Sequence, residues 1–198
     1  MMPILILAAG ASSRMRGRDK LMMDVDGMPL LTRQVQRALQ ISGDVRVALP
    51  PAPHPRHNCV APPARKIEVT DAANGIGASL RRLVTSLDDT QTPVMILLAD
   101  LPEITAHDMA RVRDATRAHP DSLVWRGATA DGKPGHPLAI DPTLLPDFAR
   151  LTGDNGGQRI LARHTDRTHL VPLPGQHARL DLDTPEDWAA WRATRAGG

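Results

Sequence analysis

Residues 3–20, Pro-Ile-Leu-Ile-Leu-Ala-Ala-Gly-Ala-Ser-Ser-Arg-Met-Arg-Gly-Arg-Asp-Lys, decide the fold. Ile4 to Ala8 is a short apolar run, and it empties into a loop of glycine, small hydroxyl residues and cations. A buried strand that breaks into such a loop is how an α/β protein builds a cradle for polyphosphate. Small residues let backbone N–H groups approach anionic oxygens, and Arg14 and Lys20 supply the countercharge. The same stretch also reads as an ordinary, basic strand-to-helix connection.

Two familiar phosphate loops are excluded. The Gly-x-x-x-x-Gly-Lys-Ser/Thr pattern fails because Met15 stands where its second glycine belongs. The dinucleotide fingerprint Gly-x-Gly-x-x-Gly is absent as well. What remains is Leu7-Ala8-Ala9-Gly10, then Ser13-Arg14-Met15, then Lys20.

Outward from the loop, apolar runs alternate with helical patterns, which favours a mainly parallel sheet flanked by helices. Strands are expected at Met22–Val25, Val45–Leu49, Lys66–Val69, Pro93–Ala99, Ser122–Trp125, Leu170–Val171 and Leu180–Leu182. Helices are expected from Pro29 to about Ile41 and from the Asn74-Gly75 turn to about Leu87. A third starts at Thr105, with Asp108 at capping-box spacing, and a last one at Thr184-Pro185. Residues 50–63 hold six prolines and read as an irregular surface excursion, and Asp131–Pro137 as a polar loop.

Asp100 is the second strong signal. It follows seven apolar or small residues from Pro93 to Ala99, and ligands of open α/β sheets bind beyond the carboxyl ends of strands. A carboxylate there is poised to hold Mg²⁺, a hard ion that wants oxygen ligands; a turn aspartate ahead of Pro102 is the plainer alternative.

Composition narrows the function classes. At 198 residues the chain suits one domain, spanning 1–198, that buries about 70% of its unfolded surface. Aromatic residues make up only 2%, so stacking platforms for single-stranded nucleic acid are excluded. The formal charge is +2, with cations scattered outside the first loop, so no nucleic-acid partner is expected. Cys59 is the only cysteine, which rules out an intrachain disulfide and suits a reducing cytoplasm. The first apolar stretch is too short for a signal peptide or a membrane span. His54, His57 and Cys59 lack a fourth ligand at zinc spacing.

The loop motif, together with Leu98-Ala99-Asp100-Leu101-Pro102, resembles the molybdenum cofactor cytidylyltransferase family of MobA-like nucleotidyltransferases. The resemblance implies a three-layer α/β/α fold with a mainly parallel, mixed sheet, related to the glycosyltransferase-A type of Rossmann variant. It extends over most of the chain. Asn74-Gly75 with Ser79-Leu80 looks like the family's base-and-ribose loop, and Gly135-His136-Pro137 like the loop facing the acceptor. Gly153-Asp154-Asn155-Gly156-Gly157 looks like its Gly-Asp-x-Gly element, with Asp154 toward the acceptor. Each of these segments is also ordinary turn chemistry.

Asp181-Leu182-Asp183-Thr184-Pro185-Glu186-Asp187 resembles the C-terminal segment. Strand alternation puts Asp181 and Asp183 on one face, and Asp183 is the choice for a second metal-site acid, directly or through water. Capping of the last helix is the alternative reading of that aspartate. Two departures from the family stand out: Arg16 where glycine usually follows the Arg-Met pair, and Gly77 where serine is common. A backbone position needing φ > 0 would be strained by Arg16, so the loop is expected to differ in detail.

The resemblance implies transfer of CMP from CTP to a phosphate-bearing molybdopterin-type cofactor, with Mg²⁺ bound and pyrophosphate released. A client molybdoenzyme is a further partner. The wall Leu7-Ala8-Ala9 and the amides of Gly10, Ala11 and Ser12 would hold the nucleotide. Arg14 and Lys20 would stabilise its phosphates, Asp100 with Asp183 would hold the metal, and His136 would seat the acceptor. Ala9 matches the cytidylyl branch, whereas the guanylyl branch tends to have glycine; one methyl is worth only about 1–3 kcal/mol of discrimination. The alternatives are a guanylyltransferase, a sugar- or polyol-phosphate nucleotidyltransferase, and a non-catalytic molybdopterin carrier. A carrier would not need Lys20 and Asp100 together.

Overall fold

In a computed structural model that describes residues 1–153 and 157–196, the opening apolar run forms β1 (Ile4–Leu7). A tight hairpin, β2 (Asp24–Val25) and β3 (Met28–Pro29), turns through Asp26 and Gly27, both at positive φ. Such a pair suits a two-residue hairpin. Then follow α1 (Leu30–Leu39), β4 (Val45–Leu49), β5 (Arg65–Glu68), α2 (Ile76–Thr85) and β6 (Val94–Leu98). The second half holds α3 (Ala106–Ala118), β7 (Val124–Ala128), β8 (Pro134–Ile140), α4 (Leu145–Phe148), α5 (Gln158–Ala162), β9 (Thr168–Pro172) and α6 (Pro185–Ala196).

Seven strands form one sheet in the order β5-β4-β1-β6-β8-β7-β9. Only β8 runs against its neighbours β6 and β7; the other pairs are parallel. Side chains alternate between two cores. Ile4, Ile6, Val47 and Leu97 pack with α1, α3 and α6, whereas Leu5, Ala48 and Ile96 pack with α2, α4 and α5. Burial on both faces explains why the central strands read as unbroken apolar runs. The architecture is the expected three-layer α/β/α sandwich with a mixed, mainly parallel sheet.

Register places the site. Leu7 lies opposite Ala48 on β4 and Leu98 on β6, so β1 and β6 end level and β4 runs one residue further. The Ala99 N–H donates to the Leu7 carbonyl at 3.2 Å, which carries the alignment one residue past the strands. Residues 8–10 and Asp100 therefore leave the sheet side by side.

Helix ends follow their sequence signals. At α3 the Thr105 hydroxyl accepts from the Asp108 N–H at 3.1 Å, and Asp108 accepts from the Thr105 N–H at 2.9 Å. Thr184 and Asp187 make the same reciprocal pair at α6, at 3.1 and 2.9 Å. Each such cap is worth about 1 kcal/mol. No helix among the described residues is long and apolar enough to cross a membrane.

Four local expectations are corrected. Lys20–Met22 is a single 3-10 turn, leaving only Asp24–Val25 as strand. Leu180–Leu182 is not a strand: the Arg179 and Leu180 N–H groups both donate to the Gln176 carbonyl at 2.9 Å, closing a turn. Most of 131–137 belongs to β8, because Gly135 serves close approach; a Cβ there would collide with the Ala178 carbonyl. Residues 50–63 are not all surface, since the turn Pro55–Cys59 buries Arg56 and Cys59.

Gly77 has a steric reason of its own. A Cβ on it would lie 2.6 Å from the Gly153 carbonyl oxygen, a backbone atom. Gly77→Ser is expected to destabilise the protein by about 1–3 kcal/mol, read as a lower urea midpoint at unchanged slope. An unchanged midpoint would show that the 152–153 segment yields freely.

Candidate active site

Lys20 opens the 3-10 turn Lys20–Met22, which Asp19 caps by accepting from the Leu21 N–H at 3.0 Å. The turn aims the Lys20 side chain back over the end of the sheet. Its Nζ donates to Asp100 Oδ2 and to Asp183 Oδ1, both at 2.6 Å. All three side chains are largely buried, with 15–19% of their area exposed. Burial alone would lower the Lys20 pKa, but the two carboxylates outweigh it and raise the ammonium above its ordinary value. Asp183 moves the other way: desolvation works against its charge, and Lys20 and Arg14 hold it below the usual carboxylate range.

Asp181 stands beside them without touching Lys20. Partial desolvation and then the charges of Asp183 and Asp100 push its carboxyl up. Asp183 is thus an ion-pair partner, while Thr184 and Asp187 do the capping of α6. The strand alternation expected for Asp181 and Asp183 is absent, yet Asp183 reaches the site from the turn before α6.

The basic loop lies against the start of α6. Arg14 pairs with Asp183 Oδ2 at 2.7 Å and Arg16 with Glu186 at 2.8 Å. Arg16 takes the left-handed conformation, φ 51°, despite its Cβ, and Ser12 does so at φ 52°. The backbone geometry that favours glycine is therefore kept with arginine in place. It costs about 1–2 kcal/mol, only partly offset by an ion pair exposed on both sides.

A cleft of about 220 Å³ opens between the ends of β1 and β6 and the start of α2. Leu7, Ala8, Ala9, Gly10, Lys20 and Asp100 line it, with Gly75 and Ser79 opposite. Ala11 lines a neighbouring hollow of about 410 Å³ that shares Ala9 and Gly10. Ser12 turns inward to Asp19, with its Oγ 3.3 Å from Asp19 Oδ1. Asn74 is exposed and does not line the cleft, and Arg14 is engaged by Asp183 outside it. None of the N–H groups of residues 9–12 has a hydrogen-bond acceptor among the described residues.

An apolar hollow of about 160 Å³ adjoins the cleft through Leu7, Ile76 and Leu98. His136 lines it, whereas Gly135 and Pro137 are buried in β8 and do not. Asp154 lies outside the described residues. The His136 pKa is pushed down to about 4, chiefly by desolvation, so the ring is neutral at pH 7. No charged histidine serves as an acid here.

Asp100 Oδ1 is buried without a hydrogen-bond partner among the described residues, which is the kind of vacancy in bonding that a hard cation satisfies. No group of three or more His, Cys, Asp or Glu among those residues is arranged to hold a metal by itself. His54, His57 and Cys59 face separate partners: the Arg56 N–H, the Pro50 carbonyl and the Met22 sulfur.

Residues 4–168 match the model of the MobA-like NTP transferase domain. The chain belongs to that family. A molybdenum cofactor guanylyltransferase of Rhodobacter capsulatus is 30% identical to it, covering 93% of this chain and 92% of that one. A probable molybdenum cofactor guanylyltransferase of Synechococcus elongatus is 29% identical, covering 93% and 95%. The crystal structure of the Mycobacterium tuberculosis Rv0371c homologue from Mycobacterium sp. strain JC1 superposes with a TM-score of 0.83, at 26% identity over 98% of this chain and 96% of that one.

In this MobA-like protein one residue at the site escaped the sequence reading. Arg56 is 2% exposed, and its guanidinium reaches Asp19 through Nε and Nη2 and the Ala8 and Gly10 carbonyls through Nη1, all at 2.7 Å. Nη2 also donates to Ser12 Oγ at 3.0 Å. A lone arginine in a proline-rich stretch carries no spacing signal, and only the tertiary fold brings it beneath the loop.

His136 yields a pH prediction. The folded ring stays neutral down to about pH 4, while the unfolded ring protonates near 6.5. Between those values the unfolded chain binds the extra proton, so stability falls as pH drops through that window. Urea titrations at pH 7 and pH 4.5 should show the decline, and His136→Gln should lessen it. An equal decline in the variant would remove the assignment.

Proposed function

We propose that this MobA-like protein transfers a nucleoside monophosphate from a nucleoside triphosphate to a phosphate-bearing molybdopterin-type acceptor. The observation that carries the reading is the meeting of Lys20, Asp100 and Asp183 beside a loop whose amides have no internal acceptor. GTP is the proposed donor, because the relatives aligned over nearly the whole chain are named guanylyltransferases. The expectation of CTP rests on Ala9, which lines the cleft, and that single methyl keeps CTP as the second reading.

The acceptor's phosphate oxygen is already an anion and needs no general base. It forms a bond to the α-phosphorus while the bond from that phosphorus to the bridging oxygen of the β-phosphate breaks, and pyrophosphate leaves with the electron pair. Loop amides and Lys20 hold the donor phosphates and the charge that grows on the leaving group. His136, neutral on the neighbouring hollow, offers the acceptor a hydrogen bond without adding charge. Asp100, whose Oδ1 has no partner among the described residues, would hold Mg²⁺ together with Asp183 once donor phosphates draw Lys20 or Arg14 away from that carboxylate. When bound, that ion supplies Lewis-acid charge neutralisation between donor and acceptor.

Pyrophosphate release should be measured with Mg²⁺, molybdopterin and each of GTP, CTP, ATP and UTP. GTP is expected to be the fastest, and preference for CTP would select the second reading. Lys20→Ala and Asp100→Asn should each lower turnover by about 100-fold or more while circular dichroism stays native. Full turnover in both would sink the mechanism.

A further inference from the structure

We infer that Arg56 is a positioning residue that sets the peptide orientation of the loop, turning the Ala9 and Ala11 N–H groups toward the donor phosphates. The inference rests on the proposed nucleotide binding and adds a residue from outside the loop to it. Arg56 sits in the connection between β4 and β5 and places all five of its N–H donors beneath the loop. Two grip the carbonyls of Ala8 and Gly10, two grip the Asp19 carboxylate, and Ser12 Oγ completes the set.

The consequence follows from peptide planarity. In a trans peptide the carbonyl of one residue and the N–H of the next point in opposite directions. With the Ala8 and Gly10 carbonyls held down on Arg56, the Ala9 and Ala11 N–H groups are directed up, away from it. Neither has an acceptor among the described residues; Ala9 lines the cleft, and Ala11 lines the neighbouring hollow, at whose wall Asp19 and Arg56 also stand. A flip of either peptide would replace a donor facing the phosphates with a carbonyl oxygen, which repels them.

Arg56 adds little net charge of its own, because Asp19 neutralises it through two parallel bonds. Its contribution is orientation. Asp19 in turn caps the turn that begins at Lys20, and the Lys20 N–H donates to Ser12 Oγ at 3.4 Å. One buried guanidinium thus holds the amide donors and the base of the Lys20 turn in common register. Lysine cannot substitute, since its ammonium is a point donor and cannot span two carbonyls, a carboxylate and a hydroxyl.

The test uses the full chain with Mg²⁺ and GTP, CTP or inorganic pyrophosphate. Arg56→Lys should weaken binding of the preferred nucleotide by about 10- to 100-fold and raise its KM, leaving the KM for the acceptor unchanged. In Arg56→Ala, added methylguanidinium should restore part of the affinity. In the wild-type chain, amide NMR should show Ala9 and Ala11 N–H shifting on nucleotide or pyrophosphate binding, which decides the matter even where a variant does not fold. Unaltered affinity in Arg56→Lys, or unmoved Ala9 and Ala11 amides in a chain that binds nucleotide, would overturn the inference alone. A wild-type chain that binds no nucleoside triphosphate would overturn the proposed function and this inference with it.

Discussion

The site depends on one ammonium held between two carboxylates that lie 80 and 163 positions away along the chain. A buried cation without partners, or two buried carboxylates without a cation, would each be costly to desolvate. Lys20, Asp100 and Asp183 solve that problem for one another, and Arg14 covers the remaining oxygen of Asp183. The arrangement also sets terms for a ligand. A triphosphate entering the cleft would meet carboxylates already paired with Lys20 and Arg14.

The loop beside these charges rests on a second buried ion pair. Arg56 and Asp19 hold a loop that contains two non-glycine residues in the left-handed region, Ser12 and Arg16. Strained conformations persist only where surrounding contacts over-determine them. Here the contacts come from beneath, through Arg56, and from the side, through Glu186 at the start of α6. The loop is therefore held from two elements far apart in sequence before any ligand binds. Such pre-organisation lowers the cost of binding, because the ordering has been completed during folding.

Much of this was legible in the sequence because it is written locally. The run from Ile4 to Leu7 and the run ending at Asp100 are apolar on both faces, as central parallel strands require. Thr105 with Asp108, and Thr184 with Asp187, announce helix starts through bonds that span three residues. The loop's composition shows its chemistry directly. Other features misled for equally physical reasons. Gly135 and Pro137 look like turn residues, but the glycine is there to let the Ala178 carbonyl approach β8. The spacing of Asp181 and Asp183 reads as strand alternation, yet no strand forms and Asp183 reaches Lys20 from the turn before α6. The donor base hung on one methyl at Ala9, too small a difference to choose between pyrimidine and purine.

By itself, then, the chain determined its layer architecture, the two strand ends that meet at the cleft and the sign of charge at each, because periodicity and capping act over a few residues. Only the tertiary structure decided that Arg56 lies under the loop, that Asp183 closes on Lys20 and that Asp181 stands aside. Those pairings join segments dozens of residues apart. Burial makes them strong, and burial is a property of the packed chain that no short stretch of sequence carries.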